Sequence, residues 1–178
     1  MDAVDTEIIH AIRKNPQEGF RLLLSRYSRP VYWHIRRTVS SHHDAEDITQ
    51  ETFLRIFKSL DKLKSESALR SWIYRIATNE SLRFLERRDE SLLPLDNALE
   101  MTSDSFVNYS DIEAVELKKA ISALPPKQQV VFNLRYYDEL EYDEIASVLQ
   151  TTVNNVRANY HNAKERIVRY MNSINWNI

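Results

Sequence analysis

The sequence predicts an all-α protein of two small helical domains joined by a flexible acidic linker. A single Gly (Gly19) and five Pro among 178 residues leave few positions for tight turns, which strand-rich and nucleotide-binding α/β folds need in large number. Apolar residues recur at helical spacing on both sides of residues 89–111, a segment of mixed polarity with no sustained period. We therefore divide the chain into a first domain at 1–88, a linker at 89–111 and a second domain at 112–178.

Four helical segments are predicted in the first domain. Asn15-Pro16 opens the first, with Asn as N-cap and Pro at the first helical position, and its apolar stripe continues through Tyr27. A second helical run is predicted from Val31 to Val39, and a third helix from about 44 to 60. A polar loop at 61–67 then precedes a long helix at about 68–88.

The second domain is predicted to end in a helix-turn-helix. Helices are expected near 112–122 and at 127–137, separated by Leu124-Pro125-Pro126. A short helix at 142–149, a three-residue turn at 150–152 and a long helix from 153 to about 171 follow. This order of short helix, turn and longer helix is typical of helix-turn-helix proteins. Thr152 is the expected N-cap of the last helix.

The formal net charge of −2 conceals an uneven distribution. Residues 1–88 carry +4, residues 89–111 carry −6 without a basic residue, and residues 112–178 are neutral. The acidic linker therefore masks a basic first half, and the overall charge does not exclude a nucleic-acid partner.

Several missing features exclude whole classes of function. Without Cys the chain has no disulfide or thiolate metal site, and no glycine-rich phosphate loop occurs. Adjacent histidines rarely converge on one ion, so His42 and His43 beside Asp44 and Glu46 do not predict a metal site. Because nothing nominates a nucleophile with its base, we expect no enzyme, no cofactor and no small-molecule substrate. The lack of Cys favours a cytoplasmic location, and the absence of a signal-peptide pattern or a membrane-length apolar run predicts no membrane insertion.

The predicted helix at 44–60 has an unusual exposed face. Offsets of three, four and seven residues place four side chains in one sector, namely Asp47, Gln50, Glu51 and Leu54. The opposite side can be buried and consists of Ala45, Ile48, Thr52, Phe53, Ile56, Phe57 and Leu60. An apolar Leu among hydrogen-bond acceptors suggests a docking surface for a protein. The alternative is an ordinary solvated face with a weak Glu51–Arg55 pair.

A basic stripe is predicted on the helix at 68–88. It recurs every four residues and consists of Arg75, Asn79, Arg83 and Arg87, opposite a core side of Ile73, Ile76, Ala77 and Phe84. Such a stripe suits a nucleic-acid backbone with one or two base edges, and a solvated cationic face is the alternative. Trp72 and Tyr74 are candidates for stacking on unpaired bases, although Trp72 lies close to the core side.

The last predicted helix separates a buried stripe from an outward face. The buried stripe consists of Val156, Tyr160, Ala163 and Ile167. The outward residues include Arg157, which can bind guanine through two hydrogen bonds, and Asn154, which can do so with adenine, each worth about 1–3 kcal/mol of discrimination. Small three-helix domains of this shape also bind proteins, which is the alternative.

Three segments together resemble the sigma-70 family of bacterial transcription initiation factors, and most closely its small extracytoplasmic-function group. They are DAEDITQETFLRIF from Asp44, WIYRIATNESLRFLERR from Trp72 and LEYDEIASVLQTTVNNVRANYHNAKERI from Leu140. Their order and spacing match the second and fourth sigma domains. The resemblance implies a protein that binds core RNA polymerase and promoter DNA, is held by an anti-sigma factor and performs no chemistry.

The resemblance also implies three sets of contact residues. The set that docks on the largest polymerase subunit is Asp47, Gln50, Glu51 and Leu54. The set that recognises and opens the -10 element is Lys64, Ser65, Arg75, Asn79, Arg83 and Arg87. The set that enters the major groove at the -35 element is Asn154, Asn155, Arg157, Ala158, His161 and Lys164.

This chain departs from the family pattern in its second domain. Gln150 replaces a common Gly, which costs about 1 kcal/mol if the position is left-handed. Glu141 replaces the usual Ser or Thr N-cap, although an acid there complements the helix dipole. Asn159 and Asn162 replace frequent basic residues. We therefore expect weak DNA binding by the free protein.

The predicted linker has two interpretations. Its residues 89–111 span about 75 Å when fully extended, which reaches across about two turns of DNA. The acids either act through their charge, by mimicking nucleic acid inside the polymerase or by shielding the basic stripe before docking, or serve only as a solubilising tether. A stand-alone helix-turn-helix regulator remains the alternative function, but it gives no account of the Asp47, Gln50, Glu51 and Leu54 face.

Overall fold

The computed structural model describes residues 3–39, 41–63, 68–91 and 112–174. Within these ranges the chain forms eight α-helices and a 3₁₀ turn at Leu60–Lys62, with no strand, which confirms the all-α prediction. The helices are α1 (Ala3–Lys14), α2 (Pro16–Thr38), α3 (His42–Lys58), α4 (Leu69–Ser91), α5 (Ile112–Ser122), α6 (Pro126–Tyr136), α7 (Tyr142–Leu149) and α8 (Val153–Ser173). None of the described helices is both long and apolar enough to cross a lipid bilayer.

The helices group into two compact units. The first is built from α1 to α4, and the second from α5, α6, most of α7 and α8. The helix α4 reaches Ser91 and so includes the first three residues of the predicted linker. The rest of that linker, 92–111, and the predicted -10 residues Lys64 and Ser65 lie outside the described residues.

Helix α1 is an element for which the sequence analysis made no prediction. Its Ile8, Ile9 and Ile12 are buried against α2. The single glycine allows this close approach, because a Cβ built on Gly19 would overlap the backbone of Ile12. The Tyr27 hydroxyl donates a 2.7 Å hydrogen bond to the buried Asp5 carboxylate and ties the two helices together.

Helix α2 is continuous, so the predicted interruption before Val31 is wrong. Asn15 caps the helix as predicted, accepting from the backbone N–H of residues 17 and 18 at 3.1 and 3.3 Å. Pro30 lies inside the helix, where the lost hydrogen bond and steric clash cost about 3 kcal/mol. Tyr27, Val31 and Ile35 lie on one buried stripe spanning that position, and burying each such side chain stabilises by about 1.5–3 kcal/mol. Continuous packing therefore outweighs the cost of the proline.

Helix α3 packs by its apolar side against α2 and α4. Ala45, Ile48, Thr52, Phe53, Ile56 and Leu60 are buried as predicted. Phe57 was also predicted to be buried, but it is 42% exposed; its ring packs against that of Phe20 with centroids 4.9 Å apart and the planes inclined by 58°. The reason is angular: Phe57 is displaced by about 100° from Ile56, whose side chain points into the core.

In the second unit, α5 and α6 pack against α8. One buried cluster there consists of Ala120, Ile121, Leu124, Phe132, Ala163 and Ile167, and Leu134, Leu140, Ile145 and Val156 are also buried. At the surface the Tyr170 hydroxyl donates to Glu116, which also pairs with Lys119 at 2.6 Å. The predicted buried stripe of α8 is confirmed, with Tyr160 half-buried.

The turn between α7 and α8 has the predicted geometry. Gln150 is left-handed, with φ of 51°, and Thr152 caps α8 by accepting from the Asn155 N–H at 3.2 Å. At the start of α7 the Glu144 carboxylate accepts from the Glu141 N–H at 2.8 Å. The side chain of Glu141 turns away from the helix and accepts from Arg135 at 3.2 Å.

Candidate functional site

The predicted docking face lies on the surface of α3. Asp47, Gln50, Glu51 and Leu54 are all exposed on α3, and the Leu54 side chain is 53% accessible. An isolated exposed Leu is common on protein surfaces. Here it lies on the same helical sector as two carboxylates and an amide, which gives the face both apolar and charged character.

A chain of ion pairs crosses from this face to α4. Arg55 lies 3.1 Å from Glu51 on its own helix and 3.1 Å from Glu80 on α4. Glu80, whose side chain is only 10% exposed, also pairs with Arg83 at 3.0 Å. The Glu51 charge is therefore partly compensated within the protein, and its position is fixed relative to α4.

A groove runs between α3 and α4 beside the docking face. Its α3 wall is formed by Asp44, Asp47, Ile48 and Glu51, and its α4 wall by Glu80, Arg83, Phe84 and Arg87. Two residues predicted to bind the -10 element, Arg83 and Arg87, thus line the same groove as two predicted docking residues. The four-residue stripe turns by about 40° per step, so over twelve residues its ends face different directions.

The other members of the -10 set have different surroundings. Asn79 is exposed and Arg75 is half-buried, and neither lines the groove. Trp72 and Tyr74, the candidates for base stacking, are 8% and 3% exposed. The Tyr74 ring packs edge-on against the buried His34, whose Nε2 lies 3.0 Å from the Thr78 hydroxyl on α4. Both aromatic rings therefore belong to the core.

The histidine at the start of α3 is engaged by protein groups. His42 Nδ1 lies 2.6 Å from the Tyr32 hydroxyl, and Nε2 lies 3.3 Å from Glu46. Within the described ranges no group of three His, Cys, Asp or Glu side chains is arranged to hold a metal ion.

The outward face of α8 carries the predicted -35 set. Asn154, Asn155, Arg157, Ala158, His161 and Lys164 are all exposed. Asn155 Nδ2 donates to Thr151 Oγ1 at 2.8 Å, and Asn155 Oδ1 accepts from Asn159 Nδ2 at 3.0 Å. The Asn155 side chain therefore links the loop before α8 to the second turn of that helix. The side chain of Asn155 is thus already hydrogen-bonded within the protein.

Tyrosine rings lie beneath two cations of this face, a feature that the sequence analysis did not identify. The Arg157 guanidinium carbon is 5.6 Å from the Tyr142 ring centroid, and Lys164 Nζ is 5.1 Å from that of Tyr160. Burial raises the pKa of Tyr160, with a smaller contribution from Tyr142, so its hydroxyl stays protonated at neutral pH. Tyr160 follows Arg157 by three residues and precedes Lys164 by four, so helical spacing brings these side chains near one another. Tyr142 lies on a different helix, and spacing along α8 cannot predict its contact with Arg157.

Comparison with known proteins places this architecture in a family. Residues 23–91 match the model for sigma-70 region 2, and residues 114–167 match that for sigma-70 region 4. The ECF RNA polymerase sigma-E factor of Escherichia coli (strain K12) is 28% identical in an alignment 177 positions long that covers 92% of each protein. The RNA polymerase sigma-H factor of Pseudomonas aeruginosa is 27% identical, covering 92% of this chain and 91% of that protein.

Solved structures share the fold. CnrH, in complex with the cytosolic domain of CnrY, matches with a TM-score of 0.74 at 19% identity, over 96% of this chain and 98% of that chain. The sigma factor RpoE in complex with the anti-sigma factor NepR from Bartonella quintana matches with a TM-score of 0.71 at 19% identity, over 86% and 97%. The chain belongs to the sigma-70 family of transcription initiation factors, within its extracytoplasmic-function group.

Proposed function

We propose that this protein binds core RNA polymerase through the exposed face of α3 and directs it to promoters by contacting the -10 element with α4 and the -35 element with α8. The observation that carries the proposal is the occurrence of both sigma-70 regions in one chain, with the four docking residues and the six -35 residues all exposed. The division into domains at 1–88 and 112–178, with an acidic linker between, is part of this proposal.

The docking assignment is supported by chemistry as well as by family. Leu54 offers an apolar contact at 53% exposure, while Asp47, Gln50 and Glu51 offer hydrogen-bond acceptors around it. A buried apolar centre with a polar rim is the usual composition of a specific protein interface. Arg83 and Arg87 line the adjoining groove, so we assign them to the margin of this interface as well as to the -10 set.

The promoter assignment divides between two helices. For the -10 element we retain Asn79 and Arg75 on α4 as the central residues, with Lys64 and Ser65 in the preceding loop. For the -35 element we retain Arg157 as the main base-contacting residue of α8, because its side chain is exposed and lies over an aromatic ring that orients it. Asn154, Ala158, His161 and Lys164 flank it.

The proposal also covers the protein's lack of catalytic activity, its location and its regulation by a partner. The protein performs no chemistry of its own and uses no cofactor. It acts in the cytoplasm, where bacterial RNA polymerase works. An anti-sigma factor covers its docking face, and this is supported by the structural relative RpoE, which is bound to the anti-sigma factor NepR.

The proposal is tested with Glu51→Arg in the full-length protein. Reversing this charge removes an acceptor and repels a basic partner surface, so affinity for purified core RNA polymerase should fall at least tenfold. Glu7→Arg, a charge reversal at an exposed position of α1, is the matched control and should bind as the wild type does. Circular dichroism should give the same helical content for all three proteins. Undiminished core affinity of Glu51→Arg would refute the docking face.

The same purified protein distinguishes the proposed function from the alternative, a stand-alone helix-turn-helix regulator. A stand-alone helix-turn-helix protein would bind duplex DNA alone and would not bind core polymerase at all. Run-off transcription with purified core polymerase on a library of genomic promoters decides between the two functions and identifies the promoters.

A further inference from the structure

The recognition helix α8 is backed by a column of aromatic rings that begins in the core of the second unit. Phe132 is 5% exposed, and its ring stacks on Tyr160 with centroids 5.9 Å apart. Tyr160 in turn contacts Tyr142 at 6.1 Å, with the ring planes inclined by 63°. Because Phe132 is packed in the core, the outermost ring, Tyr142, is fixed in place through two aromatic contacts.

Two guanidinium groups share the Tyr142 ring. Arg157 lies 5.6 Å and Arg135 lies 5.2 Å from its centroid. Arg135 is held separately, since it donates to the Leu140 carbonyl at 2.9 Å and to the Glu141 carboxylate at 3.2 Å. Glu141 thus balances the charge of Arg135. Arg157 has no ion pair with the described residues, so the ring is its main contact within the protein.

An arginine held over a ring face is well suited to contact a base. The cation–π contact uses the flat face of the guanidinium, so the N–H donors at its edge stay free for the two acceptors of a guanine. A long side chain that is already ordered also loses less conformational entropy on binding. Both effects favour discrimination between bases rather than general attraction to phosphates.

We propose that Tyr142 is a positioning residue for Arg157, and that it sets the sequence preference of the protein at the -35 base pair contacted by Arg157. The proposal rests on the function assigned above to α8. Tyr142 lies on α7, the first helix of the helix-turn-helix, and does not itself contact a base. Its contribution is to hold Arg157 in one orientation before DNA arrives.

The test measures base preference with the full-length protein assembled on core RNA polymerase. A promoter library randomised over the -35 element is transcribed, and enrichment at each position is compared among the wild type, Tyr142→Leu, Tyr142→Phe, Arg157→Ala and the double variant Tyr142→Leu/Arg157→Ala. Tyr142→Leu should lower discrimination about two- to fivefold at the base pair where Arg157→Ala lowers it, as expected for a cation–π contact at an exposed site. The double variant should be no worse than Arg157→Ala.

A conservative variant and a matched control separate positioning from folding. Tyr142→Phe keeps the ring face and should keep the wild-type preference. Tyr136→Leu removes an exposed tyrosine that stacks on Phe132 and has no cation over its ring among the described residues, and it should leave the preference unchanged. Loss of transcription at all sequences equally in Tyr142→Leu, with a lowered melting temperature and no change of preference, would show a purely structural role and overturn the proposal.

The outcomes also separate this inference from the function on which it rests. If Arg157→Ala changes the preference while Tyr142→Leu does not, the positioning role is wrong and the promoter function stands. If Arg157→Ala changes nothing, Arg157 does not contact a base, and the inference fails with that assignment. If the wild-type protein does not program polymerase at any promoter, the proposed function is refuted, and the inference with it.

Discussion

Tyr27 and Asp5 form a hydrogen bond in surroundings that hold little water. Both side chains are less than a tenth exposed, and the bond joins α1 to α2. Burial raises the pKa of the Tyr27 hydroxyl well above its ordinary value, and the hydrogen bond to the Asp5 carboxylate raises it further. The phenol is therefore neutral in the folded protein even under conditions where an exposed tyrosine would lose its proton.

This pKa shift predicts how stability depends on pH. In the unfolded chain Tyr27 loses its proton near pH 10, whereas in the folded protein it keeps the proton at higher pH. Its contribution is fully present below about pH 10 and declines above it, by up to about 1.4 kcal/mol per pH unit. Urea unfolding from pH 8 to 11 should show this decline in the wild type and a smaller one in Tyr27→Phe.

The Tyr27→Phe variant also has a cost that is independent of pH in this range. Asp5 loses its partner while it stays buried, so the free energy of unfolding at pH 8 should fall by about 1–3 kcal/mol. Tyr136→Phe, at an exposed position, is the control. It should keep the wild-type free energy of unfolding at pH 8 and the wild-type decline at alkaline pH. Equal alkaline slopes for the wild type and Tyr27→Phe would contradict the assigned shift.

Gln150 offers a second prediction at a single position. Its φ of 51° is left-handed, which a side chain with a Cβ adopts at a cost of about 1 kcal/mol. Gln150→Gly should therefore raise the free energy of unfolding by up to about 1 kcal/mol, because glycine takes this conformation without strain. Gln150→Ala keeps the Cβ and should give no gain. Urea unfolding measures both variants. A free energy of unfolding lower than that of the wild type for Gln150→Gly would contradict this explanation.

At the scale of elements, the contact between α1 and α2 depends on the one glycine of the chain. The backbone of Ile12 occupies the space into which a Cβ on Gly19 would project. Ile8 and Ile12 are buried by this crossing, so the two helices cannot separate without exposing apolar surface.

Gly19→Ala should destabilise the protein although alanine is the better helix former. The helical preference gains about 0.5–1 kcal/mol, but the clash with the Ile12 backbone costs about 1–3 kcal/mol as α1 is displaced. Gln17→Ala, at an exposed position of the same helix, is the control and should change stability by less than about 0.5 kcal/mol. Thermal unfolding followed by circular dichroism compares them. A gain in stability for Gly19→Ala would mean that α1 moves without cost.

Most elements could be predicted from the sequence because their local patterns agree with their final packing. The bounds of α5 and α7 are as predicted, and the caps at Asn15 and Thr152 are confirmed. The predicted interruption of α2 lies at Pro30, where the local cost of a proline is visible in the sequence while the packing that offsets it is not. The isoleucines of α1 at 8, 9 and 12 do follow a helical spacing, so this helix could have been predicted.

The sequence predicted which residues of the candidate sites are exposed, but not which residues of different helices contact one another. Helical periodicity correctly placed Asp47, Glu51 and Leu54 on an exposed face. The ion pairs that join Arg55 to Glu80 connect two helices, and nothing in the spacing of either helix indicates which residues meet. The same holds for Tyr142 and Arg157, which are fifteen positions apart on different helices.

At the scale of the whole molecule, charge is divided by region. Residues 1–88 carry +4 and residues 89–111 carry −6, for a total of −2 with a neutral remainder. If the acids shield the basic region, as one of the two interpretations holds, we expect the acidic segment to reduce the attraction of the free protein to DNA, because the electrostatic part of DNA binding follows the net field.

Neutralising the acids of 89–111 to Asn and Gln should strengthen DNA binding by the free protein. The formal charge then rises from −2 to +4, and affinity for duplex DNA at low salt should increase several-fold. Fluorescence anisotropy with labelled promoter DNA measures this, and at about 0.5 M salt the two proteins should bind alike, because screening removes the difference. Identical affinities at low salt would favour the passive-tether interpretation.

The pairing of Glu51 with Arg55 bears on how fast a partner is captured. Opposite charges 3.1 Å apart largely cancel when viewed from a distance, so Glu51 contributes little to the long-range field. Asp47 has no cation within ion-pair distance among the described residues and keeps its field. For the docking role proposed for α3, we therefore expect Asp47 to steer the encounter with a basic partner surface, and Glu51 to act after collision by slowing dissociation.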